Sequence, residues 1–168
     1  MNQKDSSSRP SLKNPAVLLA TWFGYGYLKP APGTWGSLAA LPFGAALYFG
    51  GGMPALVIGT MLIIIVGYWA AERYDRLSGI HDSKEIVIDE VAGQWIALLP
   101  VCFFIGLNVK YIILSFILFR FFDIAKPWPI SRLDKKVSGP LGVMIDDIVA
   151  GIFAAICIYG VIHFAGLG

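Results

Sequence analysis

Charge is scarce in this chain. Only 14% of its 168 residues are Asp, Glu, Lys or Arg, against about 25% in an ordinary soluble domain. Hydrophobic residues make up 57%, and the mean hydropathy is +0.69. A domain of this size still needs a polar surface to face water, so a soluble globular fold is excluded and an integral membrane protein is expected. The net charge of +2 leaves no broad basic face, which excludes nucleic acid as a partner. Cysteine is almost absent. Cys102 and Cys157 lie deep in apolar runs without paired spacing or a neighbouring histidine, so they read as packing or lipid-facing residues, not metal ligands. There is no Cys-x5-Arg loop, no Walker lysine and no serine in a nucleophile elbow.

What is present is a set of apolar runs separated by short breaks. The polar, Ser-rich residues 1–13 have no apolar core at signal-peptide distance and are expected to be a disordered cytoplasmic tail, leaving 14–168 as one membrane-embedded domain. Asn14-Pro15 reads as an N-cap followed by proline in the first turn. The helix it opens, 16–23, is too short to span and is expected at the interface or under the bundle. Longer runs follow at 37–49, 55–71, 86–106, 111–122 and 141–165. The expected fold is therefore all-α: a polytopic bundle of about five membrane helices plus the short N-terminal interfacial helix. Four spans with a re-entrant segment is the rival count. Some runs fall short of the roughly 20 residues a span needs, a deficit that tilt or bilayer thinning absorbs.

The breaks alternate in charge. The tail carries Lys4, Arg9 and Lys13; the second break carries Arg73, Arg76 and Lys84; the third carries Lys126, Arg132, Lys135 and Lys136. The breaks at 50–54 and 106–109 carry no Lys or Arg. The positive-inside rule places the basic breaks in the cytoplasm. That topology brings Thr34, His81, Asp89, Glu90, Arg120, Asp123, Lys126, Asp146 and Asp147 to one membrane face.

Those residues are the candidates for chemistry. Two acid doublets, Asp89-Glu90 and Asp146-Asp147, are each flanked by branched aliphatics and followed by a glycine, Gly93 and Gly151. The pattern predicts two helices packed closely through glycine with their acids converging. A carboxylate at helix-centre depth costs about 2.5–3.5 kcal/mol on insertion scales. Such acids are therefore protonated, paired with Arg120 and Lys126, or bound to a cation. A divalent metal, Mg²⁺ foremost, best answers clustered aspartates. Helix N-terminal acids satisfied by the macrodipole would account for one doublet but not for two plus Asp123. Arg120 and Lys126 each lie three residues from Asp123, on one helical face, and offer a fork and a point charge for phosphate. Metal-binding acids beside phosphate-binding bases is the arrangement phosphoryl transfer needs.

Around this centre lie weaker candidates. His81 is either a general acid for a leaving alkoxide or a solvated loop histidine. The stretch 24–37 has five glycines and prolines between Gly26 and Gly36. It is expected to be an irregular loop, with Thr34 or Ser37 capping the next helix. It either binds phosphate at a helix N-terminus or merely feeds that helix. His163 and the five tryptophans read as interface or packing residues. An aspartyl-phosphate on Asp89 or Asp146 stays open beside metal-activated water.

Four motifs in order, PAPGTWGSLAALP, HD followed by IVIDEVAGQW, FRFFDIAKPWPI and GVMIDDIVAG, closely resemble the bacterial phosphatidylglycerophosphatase A family from about Asn14 to near the C-terminus. The resemblance implies a Mg²⁺-dependent inner-membrane enzyme with its site at the cytoplasmic face, hydrolysing phosphatidylglycerol phosphate to phosphatidylglycerol and phosphate. It implies that Asp89, Glu90, Asp123, Asp146 and Asp147 form the metal and catalytic centre. Thr34, Ser37, Arg120 and Lys126 remain the expected phosphate-binding set. A metal-dependent phosphotransferase acting on a nucleotide-activated lipid is the rival enzyme, although its longer aspartate series is missing. A transporter would stagger its acids through the membrane instead of gathering them on one side.

Overall fold

The computed structural model describes residues 9–80, 83–128, 130–132 and 139–164. Among them every regular element is helical: α1 (Pro15–Ala20), a 3₁₀ turn (Tyr25–Tyr27), α2 (Pro32–Ser78), α3 (Ile88–Phe104), α4 (Val109–Ala125) and α5 (Pro140–Phe164). α1 starts as its sequence dictates, with the Asn14 side chain accepting from the Ala16 N–H at 3.0 Å and Pro15 in the first turn. It does not lie free at an interface. Ala16, Val17 and Ala20 are buried in the common core, and the Ala20 carbonyl accepts from the Val87 N–H at 2.8 Å, tying α1 to the start of α3.

α2 departs from expectation at its beginning. The helix opens at Pro32, with Ala31 as N-cap and no side-chain cap from Thr34 or Ser37. Gly33 and Gly36 thus lie inside the helix and not in an irregular loop. Their purpose is close approach. A Cβ on Gly36 would sit 2.7 Å from the Val87 side chain, and one on Gly33 would overlap the Glu90 carboxylate.

The same helix folds back on itself. Gly33 and Ala71 line one cavity, although a straight helix would hold them roughly 57 Å apart at 1.5 Å per residue. The reversal occurs at Gly51 and Gly52, whose backbones are non-helical, and Gly52 has φ +63°, a region open chiefly to glycine. Pro54 then opens the second arm. The uncharged break seen in the sequence is therefore a hairpin turn between arms 32–50 and 53–78.

The arms of α2, α3 and α5 pack around a core rich in small residues, including Ala40, Ala70, Ala92, Ala97, Ala150 and Ala154. Small side chains let helices approach closely where lipid supplies no hydrophobic drive. The outer face is the reverse of a soluble protein's. Phe49, Ile65, Phe103, Phe121 and Ile124 are all more than half exposed, a surface suited to hydrocarbon. α2 and α5 are long and apolar enough to cross a membrane. α3 and α4, at 17 residues each, reach about 25 Å of the roughly 30 Å hydrocarbon core.

Candidate active site

One end of this bundle is polar. A cavity of about 350 Å³ opens between the start of α2, the start of α3, the end of α4 and the first turns of α5. Its walls carry Asp89, Glu90, Asp123, Asp146 and Asp147 together with Lys84, Arg120 and Lys126. Val143, Met144 and Ile86 make its apolar side.

The convergence has a local cause. A Cβ on Gly151 would overlap the Gly93 carbonyl oxygen and lie 3.0 Å from its Cα. A Cβ on Gly93 would lie 2.5 Å from the Asp147 carbonyl oxygen. α3 and α5 therefore touch backbone to backbone, and the acid doublet one turn from each glycine is carried to the same place. The glycine-and-acid pattern in the sequence anticipated this contact.

The acids fall into two groups. Asp89, Glu90 and Asp147 each offer a carboxylate oxygen, and the three oxygens lie within 4.8 Å of one another. Asp89 also accepts from the Glu90 N–H at 3.0 Å, as an acid in the first turn of α3 can. Asp146 and Asp147 lie beyond the first turn of α5, where the macrodipole has faded. The other two acids are paired. Asp123 meets the Arg120 guanidinium at 2.6 Å, and Asp146 meets Lys126 Nζ at 3.1 Å. Arg120 stands 4.0 Å from Glu90 and donates to Ser37 Oγ at 3.3 Å.

The trio suits a hard divalent cation. All three donors are carboxylate oxygens, and Glu90 Oε2 is buried with no hydrogen-bond partner among the described residues. On an octahedral Mg²⁺ neighbouring oxygens lie about 3.0 Å apart and opposite ones about 4.2 Å, so the trio would draw inward to hold the ion. Charge points the same way: five acids face three bases on the cavity wall, and with the acids ionised an added cation would offset the charge of an incoming phosphate dianion.

The remaining expected residues divide. Ser37 is fully buried, donates to the Gly33 carbonyl at 2.8 Å and accepts from Arg120. It thus braces the arginine and is not among the residues lining the cavity. Thr34 is half-buried in the first turn of α2 and does not line the cavity either. Both belong to the first turns of a helix and not to an open loop. His81 lies outside the described residues. Gly33 and Lys84 are among the wall residues that were not singled out from sequence. Gly33 looked like a turn residue, and Lys84 was one of several cations in its break, with no spacing to mark it.

Beside this cavity the chain between α2 and α3 is pinned. Glu85 pairs with Arg9 at 2.7 Å and accepts from the Tyr74 hydroxyl. Arg9 lies over the Tyr27 ring, 4.8 Å from its centroid, and Tyr27 donates to the Pro10 carbonyl at 2.8 Å. Burial, aided by the Glu85 charge, pushes the Tyr27 phenol above its ordinary value and keeps it a donor.

Comparison with known proteins agrees with the motifs. The family model for phosphatidylglycerophosphatase A matches residues 18–162. The chain is 39% identical over 161 residues to phosphatidylglycerophosphatase A of Haemophilus influenzae, covering 96% of this chain and 97% of that one. It is 39% identical over 167 residues to the Escherichia coli protein of the same name, covering 97% and 92%. A Bacteroides thetaiotaomicron relative, 38% identical over 157 residues with 88% and 95% covered, is provisionally named a phosphatidylinositol-3-phosphatase. No solved structure matches the chain. With the family model and both full-length relatives in accord, this chain belongs to the phosphatidylglycerophosphatase A family.

Proposed function

We propose that this protein hydrolyses the terminal phosphate of phosphatidylglycerol phosphate, releasing phosphatidylglycerol and inorganic phosphate, with Mg²⁺ held by Asp89, Glu90 and Asp147. The observation that carries the chemistry is the carboxylate trio, with Asp89 and Asp147 buried and Glu90 half-buried, set beside Arg120 and Lys126 at one end of an apolar bundle. The relatives' names supply the headgroup.

In this reading Arg120 and Lys126 grip the phosphate oxygens. Both are already positioned, Arg120 by Asp123 and Ser37, Lys126 by Asp146. A bound divalent cation would neutralise phosphate charge and lower the pKa of water. Water attacks phosphorus, and the bond from phosphorus to the glycerol oxygen breaks. The leaving oxygen takes a proton, for which His81 is the candidate donor. Asp123 and Asp146 hold the bases in place and limit their charge until substrate arrives. Whether Asp89 or Asp146 is transiently phosphorylated distinguishes a two-step from a one-step route.

The protein sits in the bacterial inner membrane as a multi-pass bundle, its five apolar segments being the two arms of α2 with α3, α4 and α5. The basic breaks support a cavity at the cytoplasmic headgroup layer, where a lipid's terminal phosphate presents itself.

The test is phosphate release by the purified protein from phosphatidylglycerol phosphate in neutral detergent micelles. Release should stop with a chelator and return with Mg²⁺. Release that survives chelation would remove the metal from the reading. Turnover only when a nucleotide-activated lipid and an alcohol acceptor are both supplied would favour the phosphotransferase.

A further inference from the structure

A second cavity, of about 430 Å³, adjoins the first and shares Pro32 and Lys84 with it. The two differ in sign. The first is crowded with acids. The second has one acid among its lining residues, Glu85, and both of its oxygens are occupied, one by Arg9 and the other by the Tyr74 hydroxyl. Its other cations are Lys29 and Lys84, both exposed and neither in an ion pair among the described residues, with Lys84 on the wall shared with the acids. The wall is built and not incidental. A Cβ on Gly26 would overlap the Glu85 carbonyl oxygen, so the 3₁₀ turn and the 83–86 segment touch backbone to backbone. The Arg9 pairing then closes the side away from the active site.

The proposed substrate carries two phosphates joined by one glycerol: the terminal monoester, and the diester that links the headgroup to the diacylglycerol. We infer that the second cavity receives the diester phosphate, with Lys84 on the shared wall and Lys29 beyond it, while the carboxylate-lined cavity takes the monoester. This rests on the function proposed above and extends it to selectivity. Two phosphates on one glycerol can occupy two cavities with a common wall, and two lysines outside any ion pair among the described residues favour a phosphodiester there. A lipid with a single phosphate directly on diacylglycerol would fill only the first cavity.

The experiment compares the parent protein with Lys84→Ala, Lys29→Ala, the double variant and Lys84→Arg on phosphatidylglycerol phosphate, both in neutral micelles and in anionic vesicles. Inhibition by inorganic phosphate is measured on each. The expected result is a fall in kcat/KM of about tenfold for each single alanine variant and more for the double. Lys84→Arg should recover most of the loss, and inorganic phosphate should inhibit all forms at the same concentration. Three results overturn the inference: unchanged kcat/KM; a parallel weakening of phosphate inhibition, which would assign the lysines to the monoester; or a loss confined to anionic vesicles, which would make them a general membrane-surface contact. A parent protein that releases no phosphate from this lipid overturns the proposed function itself, an outcome separable from all three.

Discussion

Replacing Gly151 by alanine tests the central geometry through a residue that touches neither metal nor substrate. The new methyl would lie 3.0 Å from Gly93 Cα and 3.1 Å from its carbonyl carbon, and closer still to the carbonyl oxygen. Carbon atoms pack at about 3.5–4.0 Å, so α3 and α5 must part by about 1 Å at this level. The overpacking costs about 1–3 kcal/mol, offset in part by the roughly 0.5–1 kcal/mol that alanine gains over glycine inside a helix. The protein should therefore still fold and insert. Its carboxylate trio, spanning at most 4.8 Å, would be pulled apart by a sizeable fraction of its own width. Displacements near 1 Å cost about 100-fold in well-positioned sites. The expected outcome is a loss of that order in kcat/KM with a higher Mg²⁺ requirement, measured by phosphate release across a Mg²⁺ titration. Gly160→Ala is the matched control, because the same change on the same helix meets nothing within 4 Å. If Gly151→Ala keeps more than about half of the parent activity at ordinary Mg²⁺, the contact between these helices does not set the site.

Other consequences follow from individual contacts. Asp89→Asn and Asp147→Asn should each cost more than about 100-fold in turnover, beyond the range typical of outer-shell groups, while membrane insertion, checked by fractionation, stays normal. Arg120→Lys should lower kcat/KM by about tenfold or more, because a single ammonium cannot reach Asp123, Ser37 and Glu90 together as the guanidinium does. Ser37→Ala should cost a few-fold, about what one hydrogen bond to a charged group is worth, whereas Thr34→Val should leave the rate within about twofold, its hydroxyl not lining the cavity.

Much of this molecule was legible before any coordinates. Low charge and long apolar runs required helices, since a membrane leaves few other ways to satisfy the backbone. The start of α1 at Asn14-Pro15 could be read residue by residue because a cap is a local interaction. The convergence of the two acid doublets was legible for a similar reason. Buried carboxylates are too costly to scatter, and a glycine one turn away marks where helices can close. The glycines from Gly26 to Gly36 misled, because a glycine that opens a turn and one that admits a neighbouring side chain look alike in a sequence. Only Val87 and Glu90, distant along the chain, show that Gly36 and Gly33 are of the second kind.

By itself, then, the order of residues determined the helical class, the membrane-suited surface and the inventory of acids and bases, all of which follow from local preference and transfer energy. Tertiary structure alone decided how those groups were shared out. It placed Asp89, Glu90 and Asp147 in one cluster, gave Asp123 to Arg120 and Asp146 to Lys126, and turned Ser37 toward the arginine. Such partnerships depend on the rotation and separation of helices packed against one another, which the spacing of residues along a single helix does not encode.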